Sequence, residues 1–270
     1  MKPSIFINAE NRLWTPELLQ PAMWLDAADQ GTITIATGVS EWRDKSGNGR
    51  HFTQSAVTLQ PAYEIATFNN RNCLRFDGLN DVLTRVPEAW AYQYPIAHFC
   101  VFRALSFVPA YSQVVDFFGS SGGNTAGWAS LIKSNNRSAI YLTSTSGQPN
   151  YDGNGAFSYS TNTPYIFCSN LGNGFLQSWG NGSPDGIFTG TWTARTNLGT
   201  ANFSVGASPQ FSRFTNWDIA EQIVLNSASL GARSDAVRQT IEGYLAWKWN
   251  FPASLPTNHP FKNRPPYVGD

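Results

Sequence analysis

The chain has 270 residues, with 18 basic and 18 acidic side chains and a formal net charge of zero at pH 7. This balance gives no broad positive field, so we expect neither nucleic acid nor an anionic membrane as a partner. No run reaches the ~20 apolar residues that a membrane-spanning helix needs. The start of the chain lacks the apolar core of a secretory signal, so we expect synthesis in a cytoplasm without a signal peptide.

The predicted elements begin with an arm and two short strands. Residues 1–20 show no sustained hydrophobic period and contain Pro3 and Pro16, which predicts an N-terminal arm leading into a single domain over residues 21–270. The run Met-Trp-Leu-Asp-Ala after Ala22 predicts a first strand. From Thr32 to Ala36, isoleucine alternates with threonine, which is typical of a half-buried strand.

A tight turn follows between Glu41 and His51, where the sequence reads Glu-Trp-Arg-Asp-Lys-Ser-Gly-Asn-Gly-Arg-His. Gly47 and Gly49 can adopt positive φ, so the backbone can reverse sharply here. Asp44 is placed to accept hydrogen bonds from the amides of the turn. The alternative is that Asp44 contributes to an oxygen-ligand calcium site, although the spacing does not match a helix-flanked calcium loop.

Further short strands are predicted along the rest of the chain and are separated by Gly, Pro, Asn and Ser clusters. Their ranges are 73–76, 81–86, 97–105, 112–118, 129–132, 139–143, 165–169, 175–179, 202–205 and 219–225. About a dozen such strands predict an all-β sandwich or barrel. Small polar residues are dense in segments 119–123, 144–155 and 180–186, which predicts long loops there. Such loops commonly carry recognition residues.

One helix is predicted, from Asp235 to Trp249. Ser234 suits its N-cap, and apolar residues recur every four positions to form one stripe for packing on the sandwich. Five prolines in residues 251–270 predict an extended Pro-rich tail after it.

The cysteines and histidines show neither disulfide nor metal spacing. Cys73, Cys100 and Cys168 are odd in number and far apart, so we expect free thiols that act as small hydrophobes. His98 lies two positions from Cys100, on the same face of a predicted strand, where a buried pair is expected.

Several motifs occur together in one order along the chain. They are Trp-Leu-Asp-Ala at 24–27, Trp-Arg-Asp-Lys-Ser-Gly-Asn-Gly-Arg-His at 42–51, Leu-Arg-Phe-Asp-Gly at 74–78, Ile-Ala-Glu-Gln-Ile at 219–223 and Glu-Gly-Tyr-Leu-Ala-Trp-Lys-Trp at 242–249. Together they resemble the laminin-G-like branch of the concanavalin A-like lectin and glucanase superfamily, as found in bacteriophage tail, fibre and virion proteins. The resemblance implies a concanavalin A-like jelly-roll β-sandwich.

The enzymatic alternative depends on carboxylates. Glucanases of that superfamily place two or three of them on one strand face, and the corresponding Glu-x-Asp-x-Glu spacing is absent here. Asp218 and Glu221 are three positions apart, which predicts opposite faces of a strand. We therefore expect a chain that is not an enzyme, with a glycan hydrolase as an open alternative.

The functional hypothesis is a virion-surface protein, in a tail, fibre or capsid, whose lectin-like domain attaches to host glycans. The alternative is a purely structural decoration subunit. Expected partners are other virion proteins, bound through the arm, and further copies of the chain in a homo-oligomer. Candidate ligand residues on the central loops are Trp128, Tyr151, Asp152, Trp179 and Asn181. Candidate calcium ligands are Asp44, Asp77 and Asp81, for which turn capping is the competing interpretation. No other cofactor is expected.

Overall fold

The computed structural model describes residues 12–107, 116–117, 125–145, 155–208, 213–229, 231 and 234–270 in full, and the backbone alone of residues 111–115 and 150–152. Strands dominate this part of the chain. They are β1 (Met23–Asp26), β2 (Ile33–Ile35), β3 (Val39–Trp42), β4 (Phe52–Thr53), β5 (Ala62–Phe68), β6 (Arg71–Asp77), β7 (Leu83–Arg85), β8 (Ile96–Ala104), β9 (Tyr111–Asp116), β10 (Trp128–Lys133), β11 (Ser138–Leu142), β12 (Asn150–Asp152), β13 (Pro164–Gly172), β14 (Phe175–Gly180), β15 (Ser183–Thr189), β16 (Phe203–Val205), β17 (Ala207–Ser208), β18 (Arg213–Phe214) and β19 (Asn216–Leu225).

Two large antiparallel sheets form the molecule. The 8-stranded sheet has the strand order β15-β14-β13-β8-β19-β6-β5. Its eighth strand, β1, pairs with residues 221–224 of β19, while β6 pairs with residues 216–219 of β19. The 9-stranded sheet runs β12-β11-β10-β9-β16-β7-β4-β3-β2. A hairpin of β17 and β18 forms a small third sheet. The predicted all-β sandwich is confirmed.

The main core lies between the two large sheets and is rich in aromatic side chains. Trp42, Trp128 and Trp217 are fully buried, and Phe117 stacks on Trp128 with ring centroids 4.6 Å apart. Buried aromatic rings contribute large apolar areas, so the abundance of aromatics in the sequence is explained mainly by this core.

A second core lies on the opposite face of the 8-stranded sheet, under the helix α1 (Asp235–Lys248). The Ser234 hydroxyl caps α1 by accepting a hydrogen bond from the Val237 amide, and Ile241 and Leu245 pack on the sheet. The predicted N-cap and apolar stripe are therefore confirmed. The same core buries Cys168, one of three free and buried cysteines.

A β-bulge in β19 changes which side chains share a face. Its register against β8 shifts between Ile219 and Glu221. Before the bulge, Trp217 and Ile219 lie in the core between the sheets, and after it Ile223 and Leu225 lie in the core under α1. Asp218 and Glu221 consequently lie on the same face, toward α1. The prediction that they lie on opposite faces was wrong because it assumed unbroken strand alternation.

The two ends of the described chain pack on each other and on the domain. The Trp14 amide donates to the Pro266 carbonyl at 3.1 Å, and the Val268 amide donates to the Arg12 carbonyl at 2.8 Å. The tail buries Leu255 and Phe261 instead of running extended over the surface. Residues 12–14 therefore pack on the chain's own tail, while residues 1–11 of the predicted arm lie outside the described residues.

Several connecting segments are short 3-10 helices, at Pro16–Leu19, Gln30–Thr32, Val57–Leu59, Ala89–Tyr92 and Pro252–Ser254. Among the helices that the structure describes, none combines the length and apolar character needed to cross a membrane.

Candidate functional site

Two adjoining clefts cross one edge of the sandwich, and we name them together the Gln93 groove because Gln93 and Ala228 line both. Their volumes are about 530 and 690 Å³. The first is lined by Glu17, Gln20, Pro21, Ala22, Ser46, Asn48, Arg50, Gln93, Asn226 and Ala228. The second is lined by Ala89, Tyr92, Gln93, Tyr94, Asn173, Thr193, Ala194, Thr196, Ser227 and Ala228. Amides and hydroxyls predominate over charges in this lining.

The floor of the groove is held by a segment between β7 and β8. The 3-10 helix Ala89–Tyr92 is anchored from below by the Trp128 indole nitrogen, which donates to the Ala91 carbonyl at 2.8 Å. The Asn226 amide nitrogen donates to the Trp90 carbonyl and to Gln93 Oε1, both at 3.0 Å. Gln93 is exposed, and this bond occupies only its amide oxygen, so its amide nitrogen is available to a ligand.

Tyr94 gives the groove a polar group that the described residues leave unsatisfied. Its hydroxyl is buried and has no hydrogen-bond partner among them. Burial raises the pKa of Tyr94 well above its ordinary value, so the hydroxyl stays protonated and can donate. Buried polar groups usually have a partner. Tyr94 lines the larger cleft, and its hydroxyl would meet a ligand hydroxyl there if the side chain turned toward the cleft.

The Ser-Gly-Asn-Gly turn forms the opposite end of the groove. Asp44 accepts from the Trp24 and Ser46 amides at 2.9 Å and from the Arg50 amide at 3.0 Å, so its carboxylate braces the turn. Asn48 Nδ2 donates to the Pro21 carbonyl at 3.1 Å. The segment therefore supports the fold through Asp44, as the sequence indicates, and also lines the groove.

The candidate ligand residues do not come together. Trp128 is fully buried in the core, and Trp179 is buried under the Arg238 guanidinium, 4.5 Å from its ring centroid. Asn181 is buried and accepts from the Ile166 amide at 2.8 Å. The prediction that these three lie exposed on central loops was wrong, because each side chain faces the protein interior. Tyr151 and Asp152 belong to β12, and their side chains lie outside the described residues.

The candidate calcium ligands cap local turns. Asp77 Oδ1 accepts from the Leu79 amide at 2.8 Å, and Asp81 Oδ2 accepts from the Asp77 amide at 2.9 Å. Among the described residues, no group of three or more His, Cys, Asp or Glu side chains is arranged to hold a metal ion. Asp44, Asp77 and Asp81 thus have local amide donors, and Asp44 lies in a different turn from the other two.

Most residues that line the Gln93 groove were not predicted from the sequence as ligand residues. The available signal was the aromatic and amide-rich segment Ala-Trp-Ala-Tyr-Gln-Tyr at 89–94, directly before a strongly apolar strand. Its neighbours in the groove come from residues 17–22, 46–50, 173, 193–196 and 226–228. Only the tertiary structure brings these distant segments together.

A second polar site lies under α1, and we name it the Glu221 cluster after its central carboxylate. The register of β1 on β19 places Asp26 opposite Glu221. Lys248 Nζ lies 2.8 Å from Asp26 Oδ1 and 2.6 Å from Glu221 Oε2, while Lys45 Nζ lies 2.9 Å from Asp26 Oδ2. Two like charges opposite each other destabilise a sheet. Here the two ammonium groups compensate them.

Glu221 is fully buried and accepts four hydrogen bonds. Besides Lys248, its donors are the indole nitrogens of Trp24 at 2.7 Å and Trp249 at 2.6 Å, and the Tyr244 hydroxyl at 3.1 Å. Burial raises the pKa of Glu221. Burial also acts to raise the pKa of Asp26, but Lys248 and Lys45 outweigh it and hold that pKa below its ordinary value.

The Glu221 cluster brings two carboxylates from different strands into contact with one ammonium nitrogen. In this structure their oxygens face protein donors. Lys248 is the member of the cluster that also lines a cleft, of about 340 Å³, together with Trp14, Tyr244 and Trp247.

Comparison with known proteins identifies the fold. No protein-family model matches the chain, and no curated protein does. The chain is similar to domain 4 of the GH43 extracellular arabinanase AbnA from Geobacillus stearothermophilus, in complex with arabinotriose, with 12% identity, 76% of this chain and 92% of that chain covered, and a TM-score of 0.55. It is also similar to Trypanosoma rangeli sialidase, with 15% identity, 77% of this chain covered and a TM-score of 0.51. This chain spans only 30% of the sialidase chain.

These similarities confirm the β-sandwich. The arabinanase domain, whose fold is similar, is bound to the saccharide arabinotriose in its solved structure. They also overturn the prediction that the chain is not an enzyme, because both solved structures are parts of proteins named as enzymes. The absence of the Glu-x-Asp-x-Glu spacing excludes only carboxylates that lie together on one strand face. In the Glu221 cluster, carboxylates from two different strands meet. Neither neighbour is a laminin-G or phage protein, so the laminin-G-like resemblance stays a prediction.

Proposed function

We propose that this chain is a glycan-binding β-sandwich domain that takes a neutral saccharide in the Gln93 groove. The observation that carries the proposal is the pair of adjoining clefts lined by amides and hydroxyls, with the exposed Gln93 side chain in the lining of both. A saccharide presents many hydroxyl groups, each able to donate and accept. Gln93, Tyr94 and Asn173 offer complementary groups without the cost of burying an unpaired charge.

The charge of the groove favours a neutral ligand. Glu17 and Arg50 are its charged lining residues, and both lie at the end formed by the Ser-Gly-Asn-Gly turn. The larger cleft, around Tyr94, has no charged residue in its lining. The saccharide-bound arabinanase domain, which has the same fold, supports a saccharide over other polar ligands.

The test is an array of neutral and acidic oligosaccharides, followed by titration calorimetry with the strongest neutral ligand. Gln93→Ala and Tyr94→Phe are each expected to weaken binding about tenfold, the loss for one or two hydrogen bonds to a ligand. Matched controls outside the groove are Gln30→Ala, at an exposed glutamine, and Tyr267→Phe. Absence of any saccharide binding, or equal affinity of all four variants, would show that the proposal is wrong.

We also propose that the domain is displayed on a virion surface, where glycan binding would attach the particle to its host. This proposal depends on the order of the sequence motifs alone. Labelling of purified particles with antibodies against the chain tests it, and unlabelled particles would contradict it. If the chain is instead a purely structural subunit, its N-terminal arm should pack on a neighbouring protein. Residues 12–14 pack on the chain's own tail, and residues 1–11 lie outside the described residues.

A further inference from the structure

The Glu221 cluster holds an amine, a carboxyl group and a second carboxyl group in mutual contact. Lys248 lies at the end of α1, Asp26 at the end of β1, and Glu221 directly after the bulge of β19. Lys248 Nζ is within hydrogen-bond distance of both acids, at 2.8 and 2.6 Å. These contacts hold the Lys248 nitrogen beside both carboxyl groups, so that a small side-chain shift would bring it onto the Asp26 carboxyl carbon.

The surroundings of the three groups disfavour separated charges. Glu221 is fully buried, and the side chains of Asp26 and Lys248 are only 5% and 15% exposed. Trp24, Trp249 and Tyr244 form the walls around Glu221. Glu221 is desolvated and contacts the Lys248 nitrogen, so it is placed to take a proton from it. A neutral amine is a nucleophile, whereas an ammonium is not.

We propose that Lys248 Nζ and the Asp26 carboxyl group condense to form an intramolecular amide, with Glu221 as the group that moves the protons. This proposal is independent of glycan binding. Glu221 takes one proton from the ammonium, and the freed lone pair forms the bond to Asp26 Cγ. A second proton leaves the nitrogen, both protons reach Oδ1, and the Cγ–Oδ1 bond breaks to release water. The amide nitrogen keeps one proton and Glu221 ends as it began.

Lys45 has a positioning role at the other oxygen of Asp26. Its Nζ lies 2.9 Å from Oδ2, where negative charge would develop as the carbon becomes tetrahedral. Burial acts to lower the pKa of Lys45, but the Asp26 carboxylate raises it overall, so Lys45 remains a cation. The reaction consumes no oxidant or other reactant. Its water can leave beside Lys248, which lines the cleft with Trp14, Tyr244 and Trp247.

The bond would join residues 26 and 248, close to the two ends of the domain. A covalent link that closes a long loop removes much of the conformational freedom of the unfolded chain, so it stabilises the fold more than a link over a short loop. The chain would then keep the helix and the 8-stranded sheet together even when the rest of the domain opens.

Intact-mass spectrometry of the purified full chain tests the proposal. The expected mass is lower than that of the unmodified chain by one water molecule, and the difference should persist after denaturation. Trypsin digestion should release residues 13–43 joined to residues 239–262 as one branched peptide, because the acylated Lys248 is not cleaved. This measurement uses the natural chain and does not depend on whether any variant folds.

Three variants assign the roles. Lys248→Arg removes the nucleophile but keeps a cation, and Glu221→Gln removes the group that moves the protons, so both should show the full unmodified mass. Lys262→Arg is the matched control because Lys262 Nζ donates to the Ala253 and Leu255 carbonyls, away from the Glu221 cluster, and this variant should still lose water. The full mass in the natural chain after prolonged incubation, or water loss in Lys248→Arg, would overturn the proposal.

Discussion

The two faces of β19 bury polar groups in different ways. Toward α1, Glu221 is surrounded by four donors, one of them a cation. Toward the other sheet, the next residue, Gln222, forms a hydrogen bond with His98 Nε2 at 2.9 Å. His98 Nδ1 is buried without a partner among the described residues.

The difference shows what each core can tolerate. A carboxylate can be buried when several donors and a nearby ammonium compensate its lost hydration. The core between the sheets offers mainly aromatic rings, with Trp128 and Phe167 around His98. A neutral imidazole fits there, and burial lowers the pKa of His98 to about 4. Around β19, the helix side is therefore the charged core and the inner side the neutral one.

The largest expected effect comes from removing one donor of Glu221. Trp249 is fully buried and its ring meets Phe68 edge-on, with centroids 5.4 Å apart. Trp249→Phe removes a hydrogen bond to a buried carboxylate and leaves a small cavity, so we expect the free energy of unfolding to fall by about 3 to 4 kcal/mol. Urea unfolding measures the change.

Trp247→Phe is the matched control for that variant. Trp247 is half-buried, and its indole nitrogen donates to the Phe261 carbonyl at 2.8 Å. We expect a loss of about 1 kcal/mol, the value for an ordinary neutral hydrogen bond. Equal losses in the two variants would remove the distinction between the charged core and the rest of the helix surface.

A slightly smaller effect is expected from acid on the neutral core. The pKa of His98 is about 4 in the folded chain and 6.5 in an unfolded one, so the unfolded state binds more protons between these values. Stability should therefore fall as pH decreases from 6.5 toward 4, by about 3 kcal/mol in total for this group. The measurement is the unfolding free energy of the natural chain and of His98→Gln at several pH values.

The difference between those two proteins isolates His98. Burial raises the pKa of Asp81 to about 6, which acts in the opposite direction because protonation then favours the folded state. This contribution is common to both proteins and cancels in the difference. If the difference in unfolding free energy between the natural chain and His98→Gln stays the same from pH 6.5 to pH 4, the core does not hold His98 neutral.

The smallest effect is expected at Asp218, which lies on the same face of β19 as Glu221. Unlike Glu221, Asp218 pairs with two arginine side chains that are partly exposed to solvent. Arg75 Nε lies 2.7 Å from Asp218 Oδ1, and the Arg75 and Arg103 side chains are 32% and 18% exposed. Asp218→Asn should cost about 2 kcal/mol in urea unfolding, since solvent can compensate the arginines.

Glu64→Gln is the control for Asp218. Glu64 lies 3.4 Å from Arg75 at a partly exposed site, where an ion pair contributes about 0 to 1 kcal/mol. A loss at Asp218 as large as that at Trp249 would show that exposure of the partner does not decide the cost on this face.

The sequence predicted the elements whose own pattern is decisive. The cap and apolar stripe of α1 lie within a few helical turns, so they could be identified without the partner sheet. The inner strands such as β8 and β13 are strongly apolar and were predicted too. Strands β5 and β15 were missed, because each exposes much of its length and contains few alternating apolar positions.

The candidate sites depended on information that a local pattern does not contain. Trp128 and Trp179 are aromatic residues near polar segments, and nothing in their neighbourhood indicates that each faces a core. No sequence pattern indicates the bulge at Ala220 either, yet this bulge places Asp218 and Glu221 on the same face of β19.

By itself, the sequence determined the β-sandwich class, the helix with its buried stripe, the free cysteines and the Asp44-braced turn, because short-range periodicity and turn chemistry encode them. The tertiary structure alone decided which polar groups meet. The Gln93 groove joins segments from residue 17 to residue 228, and the Glu221 cluster joins Asp26, Glu221 and Lys248 from two strands and a helix. Such long-range contacts follow from strand register and sheet order, which no local pattern specifies.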